Sequence, residues 1–281
     1  MALRVTGDAN EARERLEIEL LLEGIQRCYG YDFRGYALAS LRRRLWHRVY
    51  GEGLETISGL QERILHDPSC MDRLLRDLSI NVTEMFRDPS FHRALRAHVF
   101  PVLRTYPFIR VWNAGCSTGE EIYSVAIALR EEGLLERTRI YATDIDEAAL
   151  QRARSGTFPL ERMQLYTENY QRAGGTESFS SYYEADGVVA RFDPALTAGT
   201  VFAQHNLVTD GSFNEFQLIV CRNVLIYFGA DLQEKVIGLF GASMTRLGVL
   251  ALGRKESLRH SQHAGEYEPL VEAEKIFRRV A

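Results

Sequence analysis

The segment that most limits the fold of this 281-residue chain lies near its middle, where an apolar run ends in a turn of small residues. Ile109-Arg110-Val111-Trp112-Asn113 has the length and composition of a strand, Ala114-Gly115-Cys116-Ser117-Thr118-Gly119 follows it, and Glu120 to Arg130 carries Tyr123, Ala126, Ile127 and Leu129 at helical spacing. Arg139-Ile140-Tyr141-Ala142-Thr143 reads as a second strand ended by Asp144, and a helix opens near Asp146 and runs to Arg154. Strand, helix, strand, helix requires crossover connections and therefore a parallel sheet. Phe216 to Val220 and Val249 to Leu252 supply two further strands.

A parallel sheet of this kind binds ligands outside the carboxyl ends of its strands, and the small-residue turn lets a ligand approach the backbone there. Asp144 stands 25 residues after Gly119, where a carboxylate can accept hydrogen bonds from ribose hydroxyls. Both NAD and S-adenosylmethionine carry such a ribose. The turn separates them, because a dinucleotide needs glycines at G-x-G-x-x-G to seat a pyrophosphate at the helix N-terminus. Here the spacing is Gly115-x-x-x-Gly119, followed by Glu120 and Glu121. Two carboxylates would repel a pyrophosphate and attract a cofactor bearing an ammonium and a sulfonium. Cys221-Arg222-Asn223-Val224-Leu225-Ile226-Tyr227-Phe228, after the third strand, would hang over the same crevice.

The first 80 residues read as helices, with Leu16, Leu20 and Ile25, then Leu38, Leu41, Leu45 and Val49, then Leu74, Leu75 and Leu78, and with Asp67-Pro68-Ser69 as a helix start. Arg27 to Arg48 holds six arginines against one aspartate. With Leu38, Leu41, Leu45 and Val49 inward, Arg43, Arg44 and His47 fall on the outer side and Arg48 at its fringe, either as a solvated face or as a docking surface for an acidic partner. Asn81-Val-Thr-Glu-Met-Phe-Arg87 links the helical and α/β regions. Between the strands, Ser178 to Phe192 places Asp186-Gly187, a favoured hairpin turn, between β-prone runs.

Composition narrows the class. A net charge of -4 with 46% hydrophobic residues excludes a disordered tail, and four cysteines dozens of residues apart suggest neither a disulfide framework nor a metal site. No apolar run reaches the roughly 18 residues of a spanning helix and the N-terminus lacks a secretory pattern, so a cytoplasmic protein without membrane insertion is expected.

Six stretches together carry a family resemblance: Asn81 to Arg87, Ala114 to Glu121, Ala142-Thr-Asp-Ile-Asp146, Ala153-Arg-Ser-Gly-Thr-Phe158, Asn206-Leu207 and Cys221 to Phe228. In order and spacing the chain resembles the chemotaxis receptor methyltransferases of the CheR family, which methylate glutamates on chemoreceptor helices. The resemblance implies a class I methyltransferase fold with a Rossmann-like sheet over 93–281, a small inserted β-subdomain at about 176–203, an N-terminal helical domain over 1–80 and a cofactor-contacting linker at 81–92. It implies S-adenosyl-L-methionine as cofactor, S-adenosyl-L-homocysteine as product and no metal. Asn81, Thr83, Arg87, Gly115, Glu121, Asp144, Asn206, Leu207, Arg222 and Asn223 would contact the cofactor, and Arg87 and Tyr227 would lie nearest the transferred methyl. Arg43, Arg44, His47 and Arg48 would face the methylation helices of a chemoreceptor-type protein. Departures from the family pattern are Met85 for Phe, Ile122 for Pro, and Gly253-Arg254-Lys255-Glu256 for Gly-His-Ser-Glu.

Two other readings compete. A nucleic-acid methyltransferase is disfavoured by the net charge, by basic residues confined to one helix and by the lack of an Asn-Pro-Pro-Tyr type motif after the third strand. A non-catalytic cofactor-binding module in a signalling complex is disfavoured by intact Arg87, Asp144 and Tyr227. A monomer is expected.

Overall fold

The computed structural model describes residues 2–79 and 83–280. The chain divides into two units, Met1–Ile80 with Tyr227–Gln233, and Asn81–Ile226 with Glu234–Ala281.

The first unit is built from α1 (Ala2–Tyr29), α2 (Leu38–Gly51), α3 (Ile57–His66) and α4 (Pro68–Leu78). Thr56 caps α3 by accepting the Gly59 N–H, and Asp67 caps α4 by accepting the Ser69 N–H at 3.0 Å, with Pro68 at the first helical position. Ile18, Leu21, Leu22 and Ile25 of α1 are buried, as are Leu41, Leu45 and Val49 of α2, whereas Leu16, Leu20 and Leu38 are exposed. The segment Tyr227–Gln233 belongs to this unit through the Ala37 N–H on the Tyr227 carbonyl, at 2.9 Å, and the Gly229 N–H on the Gly35 carbonyl, at 2.8 Å.

The second unit begins with α5 (Pro89–Ala94) and α6 (Phe100–Leu103), joined through one wider helical turn. There follow β1 (Ile109–Ala114), α7 (Glu120–Glu131), β2 (Thr138–Asp144), α8 (Glu147–Ser155), β3 (Thr157–Pro159), α9 (Met163–Arg172), β4 (Tyr183–Ala185), β5 (Val189–Phe192), β6 (Thr200–Gln204), β7 (Phe216–Cys221), α10 (Ala230–Ala242), β8 (Met244–Leu252), β9 (Tyr267–Val271) and β10 (Ile276–Arg279). The first turn of α10 falls in the other unit. The large sheet has the order β6-β2-β1-β7-β8-β10-β9. Its first five strands are parallel neighbours, and β10 runs antiparallel between β8 and β9. Every residue of β7 is buried, as expected of a strand covered on both faces. The strand order reverses at β1, which has β2 on one side and β7 on the other, and this opens a crevice at their carboxyl ends.

The four strands read from sequence are β1, β2, β7 and β8, while β6, β9 and β10 were not anticipated. The hairpin is formed by β4 and β5 around Asp186 and Gly187, and β3 completes a three-stranded sheet of order β3-β5-β4. The insertion therefore recruits residues 157–159 from before the expected 176–203, and it stops short of Thr200, where β6 pairs with β2.

Candidate functional site

The turn after β1 is held by its neighbours in the sheet. The Gly115 and Cys116 N–H groups both donate to the Thr143 carbonyl, at 2.8 and 2.9 Å. Gly115 adopts φ +75°, and a Cβ there would stand 2.5 Å from Cγ2 of Val224, so both its conformation and its contact require glycine. Ser117, at φ 51°, donates its N–H to Asp144 Oδ2 at 2.8 Å, and Asp146 donates to Oδ1 at 2.9 Å. These bonds, with a further backbone contribution from Ile145, aim the Asp144 carboxylate from the end of β2. Burial pushes the carboxyl above its ordinary value, against the stabilising N–H groups of Asp146 and Ser117. Asp146 in turn caps α8 through Ala148, at 2.9 Å.

The two glutamates that open α7 have separate environments. Glu120 is buried, accepts the Thr118 hydroxyl at 2.6 Å, and is pushed up by desolvation. Glu121 accepts Asn113 Nδ2 at 3.0 Å and pairs with Arg222 Nη1 at 2.8 Å. The second Arg222 nitrogen pairs with Asp88 at 2.6 Å, and the guanidinium lies 4.0 Å from the centre of the Phe91 ring. Only 1% of the Arg222 side chain is exposed. Arg222 therefore ties the end of β7 to α7 and to residues 88–91, and most of its side chain is committed within the protein.

The segment before α5 is anchored on the same unit. The Phe86 N–H donates to Ser124 Oγ at 2.8 Å, Asn169 Nδ2 donates to the Met85 carbonyl at 3.1 Å, and Phe86 and Asp88 both have positive φ. Thr83 and Arg87 are half-buried on this fixed segment, while Asn81 lies outside the described residues. Met85 and Ile122, the two apolar departures from the family pattern, are both fully buried. On the other side of β2, Gln204 is the register partner of Asp144 and the His205 N–H donates to the Asp144 carbonyl at 3.1 Å. Asn206 and the buried Leu207 follow directly, with Asn206 Oδ1 accepting the Val208 N–H at 3.0 Å.

The structure thus brings Gly115, Glu121, Asp144, Arg222 and Asn223 to adjoining strand ends, with Asn206 and Leu207 beside Asp144. Asp88 and Asn113 escaped the sequence reading because their roles arise from pairing, with Arg222 and Glu121 respectively. Glu256 also escaped it: this buried carboxylate accepts the N–H groups of Asn223, at 3.1 Å, and Val224, at 2.8 Å. Its only signal was an acid surviving three residues after Gly253 in an altered motif. Of the two cations beside it, Arg254 pairs with Glu274 at 2.8 Å.

These groups fit an adenosyl cofactor. Asp144 presents a carboxylate to ribose hydroxyls, the Gly115 turn admits close backbone approach, and Asn113 Oδ1 and Arg222 Nε are buried polar atoms without a hydrogen-bond partner among the described residues.

Tyr227 falls in the helical unit, where the Arg44 guanidinium stacks on its ring with 4.6 Å between the charge and the ring centre. This corrects the expected outward face of α2. Arg44 is 6% exposed and donates to the Leu78 carbonyl at 2.7 Å. Arg48 is half-buried against Asp77 and Glu52. The inward stripe of α2 is centred nearer Leu41, Arg44 and Leu45 than leucine spacing alone suggests, because a buried arginine that finds a carbonyl and a ring behaves as a core residue. Arg43 and His47 are exposed.

Comparison with known proteins gives two family matches: residues 81–273 match a model described as CheR methyltransferase, SAM binding domain, and residues 16–79 one described as CheR methyltransferase, all-alpha domain. A Pseudomonas putida protein named "Putative methyltransferase Cher3" is 51% identical over 96% of this chain and 99% of its own length. The chemotaxis protein methyltransferase of Salmonella typhimurium is 32% identical over 81% of this chain and 80% of its own, and that of Listeria innocua is 30% identical over 83% and 87%.

Proposed function

The chain belongs to the CheR methyltransferase family, and on that premise we propose that it transfers the methyl of S-adenosylmethionine to glutamate side chains of chemoreceptor-type proteins, forming methyl esters. The observation that carries this reading is the Asp144 carboxylate, fixed by the Ser117 and Asp146 N–H groups at the switch point of the sheet. When bound, the cofactor supplies a methyl on a sulfonium, an electrophile that a carboxylate can attack in line.

A glutamate carboxylate has a pKa near 4.3 and is ionised at neutral pH, so its attack needs no general base. The surroundings of the crevice agree with that economy. His92, close to Arg222, is fully buried, and desolvation together with the Arg222 and Arg96 charges holds it well below its ordinary value. In this reading Gly115, Glu121, Asp144, Asn206, Leu207, Arg222 and Asn223 hold the cofactor, with Asn81, Thr83 and Arg87 of the preceding segment. Arg87 and Tyr227 orient the reactants without exchanging protons. Arg43 and His47 remain as the exposed part of the docking face on α2, and Arg44 acts through its stacking on Tyr227. The protein works as a cytoplasmic monomer and binds no nucleic acid.

The test is transfer of radiolabelled methyl from S-adenosylmethionine to the cytoplasmic helices of a chemoreceptor. Esters hydrolyse in mild alkali and methylated amines do not. Label released as volatile methanol supports glutamate esterification, and label stable to alkali overturns it.

A further inference from the structure

Glu256 has no part in the proposed chemistry, yet it is one of the most deeply buried acids of the molecule, 3% exposed. Its two oxygens share at least four backbone donors. Oε1 accepts the N–H groups of Val224, at 2.8 Å, and Ile226, at 3.4 Å, and Oε2 accepts those of Asn223, at 3.1 Å, and Gly253. Three of these donors lie in the loop that leaves β7 and one at the end of β8, so a single side chain fastens two strand ends together. Asn223 is held at φ 61°, a left-handed conformation that a residue with a side chain adopts only at a cost. At the partner position, a Cβ on Gly253 would stand 2.8 Å from the Asn223 nitrogen and 2.7 Å from Oε2.

We propose that Glu256 is a positioning residue for the cofactor: it fixes the loop that presents Arg222 and Asn223, and it acts on cofactor affinity rather than on the methyl-transfer step. This rests on the reading that places the adenosyl cofactor at these strand ends. The carboxylate is required because each oxygen faces two donors. An amide of the same shape must turn its NH2 toward one pair of N–H groups, which drives that side of the loop away. A loop so loosened loses contacts that are the same in the bound and reacting complexes, and such a loss raises KM while leaving kcat in place.

The experiment combines calorimetric titration with S-adenosylhomocysteine and initial rates with S-adenosylmethionine for the wild type, Glu256→Gln and Gly253→Ala. Ile276→Val in β10 serves as a control for mild loss of packing. For both test variants the Kd and the KM are expected to rise by about tenfold or more, with kcat within about threefold, while the control keeps wild-type affinity. In hydrogen exchange, amides of the 222–226 peptide in Glu256→Gln should exchange faster than the rest of the sheet. If the wild type fails to bind S-adenosylhomocysteine, the underlying cofactor reading falls. If it binds and the Glu256→Gln Kd stays within twofold, or kcat falls as much as kcat/KM, the positioning role is overturned. Should Glu256→Gln fail to fold, Gly253→Ala decides by the same two numbers, because it wedges the clamp open without removing its charge.

Discussion

Two buried carboxylates hold two loops at the same edge of the sheet, and they are used differently. Asp144, at the end of β2, accepts the N–H groups of Ser117 and Asp146 and stands where the strand order reverses. Glu256, beyond β8, accepts the N–H groups of Asn223, Val224, Ile226 and Gly253 and fastens two strand ends together. Each stabilises a residue with positive φ, Ser117 in one loop and Asn223 in the other. Both are buried at a desolvation cost that pushes the carboxyl up. The difference teaches how to tell a ligand-facing acid from an internal one: burial and pKa direction are alike, so what separates the two is the effect of each on ligand affinity and on the methyl-transfer step.

The two loops are joined by Arg222, and removing it is the largest perturbation available. Arg222→Met takes from Asp88 and Glu121 their nearest cation in a half-buried setting, with Arg254 still 3.9 Å from Asp88, which should cost about 3 kcal/mol, near the lower end for a broken buried pair. For a unit of this size that is roughly a 10 °C fall in Tm. Urea unfolding showing less than about 1 kcal/mol would mean that the loops are independent and that the comparison concerns two separate devices.

Asp144→Ala tests the ligand-facing acid. It should weaken S-adenosylhomocysteine binding by about 2 kcal/mol, roughly thirtyfold, through the loss of a charged acceptor. Unchanged affinity in calorimetry would reduce Asp144 to a loop anchor like Glu256.

The first of these loops was legible in the sequence and the second was not. Gly115, Gly119 and Asp144 sit at a spacing set by a strand, a turn and a crossover helix, and local chain geometry is enough to bring them together. Glu256 meets Asn223 across 33 residues and a strand pairing, and nothing local marks it. The same contrast holds for the sheet. Strands β1, β2, β7 and β8 contain runs buried on both faces and read as apolar stretches. By contrast β6, β9 and β10 mix exposed and polar residues, and β9 contains Pro269, so their pairing depends on neighbours that the sequence does not name. On α2 the leucine spacing gave the helix but not its rotation, because Arg44 is buried through partners elsewhere in its unit, the Leu78 carbonyl and the Tyr227 ring.

Gly115→Ala sharpens the contact between the loops. The positive φ and the approach to Val224 together should cost about 1.5 kcal/mol. Adding Val224→Ala removes the clash and not the backbone strain, so the double variant should recover roughly half of the loss attributed to the alanine at 115. A double-mutant cycle with coupling near zero would show that the loops do not press on each other.

The smallest effect is a dependence on pH, and it has opposite signs for the histidine and for the acids. His92 is held neutral by burial and by the Arg222 and Arg96 charges, so below its unfolded value of 6.5 the unfolded chain takes up a proton that the folded chain refuses. Its contribution to stability is full above that value and is lost as pH falls below it, with a slope of at most about 1.4 kcal/mol per pH unit for one proton. Asp144, Glu120 and Glu256 have folded values raised above their unfolded ones, so between the two values the folded state binds the extra proton and stability rises as pH falls. Between pH 7 and about 5 the histidine's own contribution to Tm should therefore decline. His92→Gln should flatten that decline, and Arg222→Met should soften it by removing a repelling charge from beside the ring. An unaltered Tm profile in His92→Gln would show that the ring takes up its proton in the folded state, and that the cation joining the two loops does not reach it.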